Sequence, residues 1–250
     1  MKVAFVGLGQ MGKPMAMNLL KSGAELVVHS TSGETYPEFE AKGARTTRDA
    51  TQVAQAEVVF LCLPSSEVVR KVVLGEQGLA ERLGKGQTVV DTSTITYSAT
   101  LEVSDALQAR GVAFLDAPVS GMESRAIEGT LTVMCGGKRE TFEAVKLYLE
   151  CLGNNILYMG GPGSGQLTKL INQLLFDINC AALAEILPMA VKMGLDAEKV
   201  GAVVNSGTGR SYASEFFIPR ILEDSFSEGY PMQHAYKDLV SAAELGAKLG

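Results

Sequence analysis

Apolar residues along the first 160 positions fall into short runs, many of them β-branched, separated by stretches with helical spacing. Strands are predicted at KVAFV (2–6), LVVHS (26–30), VVFLCL (58–63), TVVDT (88–92), FLDAPV (114–119), LTVMCG (131–136) and ILYM (156–159). Most of these runs are continuously apolar, the pattern of strands covered by helices on both faces. Helices are predicted over MGKPMAMNLLKSG (11–23), TTRDATQVAQAE (46–57), SSEVVRKVV (65–73) and TYSATLEVSDALQARG (96–111), several of which open with a Ser, Thr or Asp suited to capping. Strand and helix in alternation imply crossover connections and a doubly wound, mostly parallel α/β sheet.

After GGPGSG (160–165) the pattern changes. QLTKLINQLLFDINCAALAEILPMAVKM (166–193) has no β-run and is apolar on most sides, which predicts a long, largely buried helix with a bend at Pro188. Its length is roughly 40 Å at a rise of ~1.5 Å per residue. Further helices are expected over AEKVGAVVN (197–205), YASEFFIPRIL (212–222) and AYKDLVSAAELGAKL (235–249). The expected domains are therefore 1–162, carrying the sheet, and an all-helical 163–250.

Composition narrows the possible functions. With 22 basic and 28 acidic residues the net charge is −6, a poor balance for a nucleic-acid backbone. Cys62, Cys135, Cys151 and Cys180 are widely spaced and read as reduced core residues. With only His29 and His234 to add to them, no metal site is expected. The chain opens on a strand pattern instead of a basic leader, and VVFLCLP (58–64) is far too short to cross a bilayer. A cytoplasmic protein without a membrane partner is expected.

Gly7-Leu8-Gly9-Gln10-Met11-Gly12 follows the first strand and opens a helix, the context in which G-x-G-x-x-G binds a dinucleotide. One glycine allows the tight turn, the next lets backbone N–H groups approach a pyrophosphate, and the third permits close helix–strand packing. The second strand ends at His29-Ser30-Thr31-Ser32, without the carboxylate that usually holds the ribose hydroxyls of NAD. Hydroxyls are present and a cation is not. The missing acid favours NADP, with NAD as the close alternative.

Lys169, Asn172 and Gln173 sit at i, i+3 and i+4 on the long helix. A lysine so placed could act as general acid and base, with Asn172 holding a substrate hydroxyl; a lysine snorkelling into solvent fits the spacing about as well. Asp116-Ala117-Pro118-Val119-Ser120-Gly121 ends a strand and enters a loop at the carboxyl edge of the sheet, where Ser120 and the following N–H groups could hold a carboxylate. A capped turn is the plainer reading. Arg125 and Arg210 could add charge recognition or simply lie in polar surface loops.

In order along the chain, VAFVGLGQMGKPMAMNLLKSG (3–23), VVDTSTI (89–95), FLDAPVSG (114–121), IEGTLTVMCGG (127–137), GPGSGQLTKLINQ (161–173), SGTGRSYASE (206–215) and YKDL (236–239) resemble the β-hydroxyacid dehydrogenase family. Its members include 3-hydroxyisobutyrate dehydrogenases and tartronate semialdehyde reductases. The resemblance implies a Rossmann-type domain, a long connecting helix, a helical C-terminal domain and an active site in the cleft between the domains. It implies hydride transfer between NAD(P) and a small β-hydroxy acid or its semialdehyde. Lys169 takes the catalytic position, with Asn172 beside it. Ser120, Gly121 and Met122 fall on the substrate loop. Gly7, Gly9, Gln10, Met11, Gly12, Ser30, Thr31, Leu63, Pro64, Thr94 and Lys237 fall on the cofactor positions.

Three departures accompany the resemblance. Met122 stands where the family usually has a second glycine, Gln173 where it often has a second asparagine, and further helices usually come after the KDL segment. The helical domain is therefore expected to look incomplete and to associate as a homo-oligomer. The rival readings are a dinucleotide-binding scaffold without turnover and an imine-reductase-like enzyme. Lys169 speaks against the second, since those enzymes typically lack a lysine there.

Overall fold

The computed structural model of the chain describes residues 2–226, 229 and 232–249; the side chains of residues 234, 248 and 249 lie outside that description. Two compact units divide at 169/170.

The first unit is built from β1 (Lys2–Val6), α1 (Gly12–Lys21), β2 (Glu25–His29), α2 (Tyr36–Glu40), β3 (Arg45–Thr47), α3 (Ala50–Val53), β4 (Val58–Leu61), α4 (Ser66–Leu74), α5 (Leu79–Arg82), β5 (Thr88–Asp91), α6 (Tyr97–Gln108), β6 (Ala113–Asp116), β7 (Val119–Ser120), α7 (Met122–Glu128), β8 (Leu131–Gly137), α8 (Arg139–Leu149) and β9 (Gly153–Gly160). The strands run β3-β2-β1-β4-β5-β6 in parallel; β8 then pairs antiparallel with β6 and β7 and parallel with β9. This is the Rossmann-type, mostly parallel sheet. Alternation along each strand decides which core a side chain joins. Phe5 and Phe60 enter one buried cluster with Met15, Leu19 and Leu149, whereas Ala4, Val59 and Leu61 enter the other with Val69, Val73 and Leu107. Continuously apolar strands are the result of covering both faces.

The predicted helix over 46–57 is instead β3 followed by the single turn α3. Thr46 and Thr47 favour extended backbone, and Asp49 starts a new helix by accepting from Thr51 N at 2.8 Å. The strand predicted over 114–119 breaks at Pro118, which has no N–H for the ladder, into β6 and β7. The residues after Gly121 form α7 in place of the expected loop. Predicted caps are present at Ser65 and Thr96, which accept from Val68 N and Ala99 N.

α9 (Ser164–Lys192) begins in the first unit and continues into the second, which also holds α10 (Ala197–Ser206), α11 (Tyr212–Leu222) and α12 (Met232–Leu249). Within the second unit, Phe176 packs on Tyr212 and Phe217 at centroid distances of 6.0 and 6.2 Å. Gln173 Nε2 donates to Asp238 Oδ2 of α12 at 3.3 Å. α9 runs unbroken through Pro188.

The expectation that this helix is largely buried is corrected. Its most apolar 18-residue window is only 11% buried, and Ile171, Leu175 and Ile178 are each about 60% exposed. Among the described residues it is long and apolar enough to cross a membrane by length and composition, which 58–64 is not.

Candidate functional site

The glycine-rich turn has the shape a dinucleotide pyrophosphate requires. Gly7 lies at φ +98°, and a Cβ there would sit 2.1 Å from Cys62 O. A Cβ on Gly12 would sit 1.9 Å from Gly7 O, so the start of α1 closes directly onto the turn. At Gly9 a Cβ would meet nothing within 4 Å, leaving the outer side of the turn open for close backbone approach. No acidic residue stands in the first turn of α1, so nothing there opposes an anion at the helix N-terminus.

Several predicted residues come together around this turn. The Leu63 side chain borders Gly7, its Cδ2 being 3.1 Å from the position a Gly7 Cβ would take. Gln10 Nε2 donates to Glu123 Oε2 at 2.8 Å, and Asn18 Nδ2 donates to Ala126 O at 2.8 Å, so the segment after Ser120 and Gly121 lies against the phosphate turn and α1. Ser120 is half-buried on β7, paired with Thr132. Ser30 and Thr31 come directly after β2 at the same edge of the sheet, where Leu63 and Pro64 come after β4.

Beneath these loops lies a buried polar network that sequence reading missed. Asp91 and Asp116 end the neighbouring strands β5 and β6 in direct register, and both are fully buried. Asp116 Oδ1 accepts from Gly163 N at 2.8 Å and its Oδ2 from Gln166 N at 3.0 Å, so a carboxylate of the sheet caps the first turn of α9. Gln166 in turn donates through Nε2 to Ser93 O at 2.6 Å and accepts from Ile95 N at 3.3 Å. Ser93 Oγ accepts from Leu63 N at 2.8 Å, and Ser93 N donates to Asp91 Oδ1 at 2.9 Å. The loops holding Leu63, Thr94 and the start of α9 are thereby joined into one rigid set. Gly165 belongs to it by necessity: a Cβ there would lie 2.3 Å from Met134 O and 2.8 Å from Asp116 Oδ2.

Burial governs the chemistry of both acids. It raises Asp91 to about 7, with Ser93 opposing and Asp116 adding to the rise. It raises Asp116 to about 6, tempered by the N–H groups of Gly163 and Gln166. The second oxygen of Asp91 is buried without a hydrogen-bond partner among the described residues. Polar residues ending two adjacent apolar strand runs were the signal available for them in TVVDT and FLDAPV.

Lys169 lies less than two turns after this anchor and is 8% exposed, so it does not snorkel. Asn172 is exposed and donates to Gln173 Oε1 at 3.2 Å. Lys237 lies on α12, where burial lowers its pKa and Asp238 beside it partly restores it. Neither arginine singled out in the sequence stands free: Arg125 Nη2 donates to Thr130 O, and Arg210 pairs with Glu215 at 2.7 Å.

Met122 has φ +61°, a left-handed backbone costing a side-chain-bearing residue about 1–2 kcal/mol. Met122→Gly relieves that cost while adding some freedom to the unfolded chain. A net gain of about 0.5–1 kcal/mol is expected from the urea midpoint. A loss of stability would mean that packing of the Met122 side chain outweighs its backbone strain.

These features are those of an oxidoreductase that holds a nicotinamide dinucleotide on a Rossmann sheet, and comparison with known proteins gives the family. Residues 2–160 match the family described as the NAD binding domain of 6-phosphogluconate dehydrogenase, and residues 163–250 the one described as NAD-binding of NADP-dependent 3-hydroxyisobutyrate dehydrogenase. The chain is 38% identical over 240 residues to 2-hydroxy-3-oxopropionate reductase of Escherichia coli, covering 96% of this chain and 82% of that protein. It is 36% identical over 247 residues to 2-(hydroxymethyl)glutarate dehydrogenase of Eubacterium barkeri, covering 98% and 82%. The solved structure of a Mycobacterium tuberculosis 3-hydroxyisobutyrate dehydrogenase with L-serine superposes with a TM-score of 0.90 at 30% identity, covering 100% of this chain and 87% of that one. The chain belongs to the β-hydroxyacid dehydrogenase family and is an NAD(P)-dependent dehydrogenase of small hydroxy acids.

Proposed function

We propose that the chain interconverts a small β-hydroxy acid and its semialdehyde, with NADP preferred over NAD and Lys169 as general acid and base. The observation that carries this reading is the burial of Lys169 just beyond a helix start bonded to the sheet through Asp116 and Gln166. An amine held out of bulk water at a fixed point of the helix is placed to exchange a proton with a bound substrate.

When bound, a nicotinamide dinucleotide would supply or accept the hydride. In reduction, Lys169 Nζ donates its proton to the carbonyl oxygen as that oxygen becomes a hydroxyl; in oxidation, the neutral amine takes the hydroxyl proton. Ser120 Oγ and the N–H groups at Gly121 and Met122 hold the substrate carboxylate, and Asn172 orients the reacting oxygen. Gly7 to Gly12 would cradle the pyrophosphate; Ser30 and Thr31 would serve the adenosine end, while Leu63, Pro64, Thr94 and Lys237 would serve the nicotinamide end. The four free cysteines fit residence in a reducing cytoplasm.

The test is NAD(P)H oxidation and NAD(P)⁺ reduction across 2-hydroxy-3-oxopropionate, 3-hydroxyisobutyrate and 2-(hydroxymethyl)glutarate. Turnover of at least one substrate, faster with the phosphorylated cofactor, is expected. Cofactor binding without turnover on the whole panel would overturn the reading in favour of a scaffold.

The reading includes self-association through α9. Ile171, Leu175, Ile178, Ala182, Ile186, Met189 and Met193 recur at spacings of four and three and are all exposed, a continuous stripe suited to a second copy of the same helix. A dimer or larger assembly is expected by light scattering at micromolar concentration, with Ile178→Asp shifting it toward monomer. A monomeric wild-type chain would remove this part of the proposal.

A further inference from the structure

The loop after β2 lacks a cation in sequence, and the fold supplies one. In the parallel register of β2 and β3, His29 stands beside Thr47, so Arg48 leaves β3 next to the point where Ser30 leaves β2. Tyr36 fastens the two ends together. Its hydroxyl accepts from Ser30 N at 2.8 Å and presents its proton to Ser30 O at 2.8 Å and Thr47 O at 2.5 Å. Arg48 Nη2 donates to Ser32 O at 2.8 Å, while Ser30 Oγ and Ser32 Oγ stand 3.5 Å apart. Gly33, at φ +70°, leaves room for the arrangement: a Cβ there would lie 2.8 Å from Arg48 Nη2 and 3.3 Å from the Tyr36 ring.

Arg48 is exposed and forms no ion pair among the described residues. The adjacent Asp49 carboxylate is occupied by Thr51 N, which holds its pKa down. The remaining charge of the loop is Glu34, exposed, whose N–H donates to Ser32 Oγ at 3.4 Å. A guanidinium with unused donors beside two serine hydroxyls matches a phosphate monoester, whereas an unphosphorylated ribose diol is served better by a carboxylate.

We propose that Arg48, held beside Ser30 and Ser32 by the Tyr36 clamp, recognises the 2′-phosphate of the dinucleotide and decides its preference for the phosphorylated form. The proposal rests on the NADP reading above but not on Lys169 or on turnover, so it is tested by binding alone. Isothermal titration of the full chain with 2′,5′-ADP and with 5′-AMP separates the phosphate from the rest of the adenosine site. The wild type is expected to bind 2′,5′-ADP at least tenfold more tightly. Arg48→Ala is expected to weaken 2′,5′-ADP by about 10–100-fold, a factor typical of losing a charge-assisted bidentate contact, and to move 5′-AMP by less than about twofold. Tyr36→Phe, which loosens the clamp and keeps the ring, is expected to weaken 2′,5′-ADP by less than Arg48→Ala does while sparing 5′-AMP. Equal losses for both nucleotides in Arg48→Ala, or no loss for either, would overturn the proposal. So would a wild type that binds the two alike, or one whose selectivity resides in Glu34, shown by Glu34→Gln weakening 5′-AMP while Arg48→Ala changes nothing.

Discussion

Lys169→Ala is expected to lower kcat by about 10²–10⁴-fold, the range spanned by loss of a positioned general acid or base. Cofactor binding, followed through NADPH fluorescence, is expected to stay within about threefold of wild type, because Gly7 and Gly12 shape the phosphate turn and Tyr36 holds the Ser30 loop. Lys169 is buried, so the alanine variant leaves a void as well as removing an amine. Lys169→Met fills most of that void without restoring the proton. The two variants are therefore expected to share a low kcat while the methionine variant recovers part of the urea midpoint. Near-normal turnover in Lys169→Met would show that the proton comes from elsewhere. The pH profile gives a further check: the limb of kcat set by the amine in the wild type is expected to vanish in both variants, which a purely structural lysine would not cause.

The second large effect concerns stability and pH. Asp91 and Asp116 hold protons in the folded chain to about 7 and about 6, well above the ordinary carboxylate value they regain on unfolding. Between about pH 4 and pH 7 the native state thus binds more protons than the unfolded one, and stability falls as pH rises. For Asp91 alone the loss is on the order of 2–4 kcal/mol by pH 8. Exposed carboxylates drawn down by hydrogen bonds, Glu38 to Lys13 and Asp49 to Thr51, act in the opposite sense, losing their contribution as pH falls below the ordinary carboxylate range. Maximum stability is therefore expected near pH 5.

Asp91→Asn separates this effect from the rest of the network. Its Oδ1 bond from Ser93 can be kept by the amide oxygen, and the other Asp91 oxygen is buried with no hydrogen-bond partner among the described residues. The variant is expected to match or exceed wild-type stability at pH 8 and to show a much flatter profile by urea denaturation at pH 5, 7 and 8. Asp116→Asn is expected to destabilise at every pH, because an amide cannot accept from both Gly163 and Gln166 through two oxygens. A wild type equally stable at pH 5 and pH 8 would show that neither acid keeps its proton in the folded chain.

The legible parts of the site were those written in consecutive residues. Gly7 to Gly12 announce their turn because left-handed backbone and close packing at Gly7 and Gly12 exclude any side chain. The sheet was readable because two-sided burial leaves apolar runs, and α9 because its composition excludes a strand. The same apolarity misled on burial, since hydrophobic residues record that a face needs covering and not what covers it. The helix over 46–57 failed for the converse reason: β3 is held by pairing with β2, a contact invisible to helical spacing.

By itself, then, the sequence determined the Rossmann-type order of elements, the phosphate turn and the family to which the chain belongs, because those rest on local geometry and on motifs that keep their order. Only the tertiary structure decided that Asp116 caps α9 across 47 and 50 residues, that Gln166 reaches Ser93 across 73, and that Arg48 lies beside Ser32. Those bonds join segments distant in the chain, and strand register and burial, which no short stretch of residues encodes, bring their partners within reach.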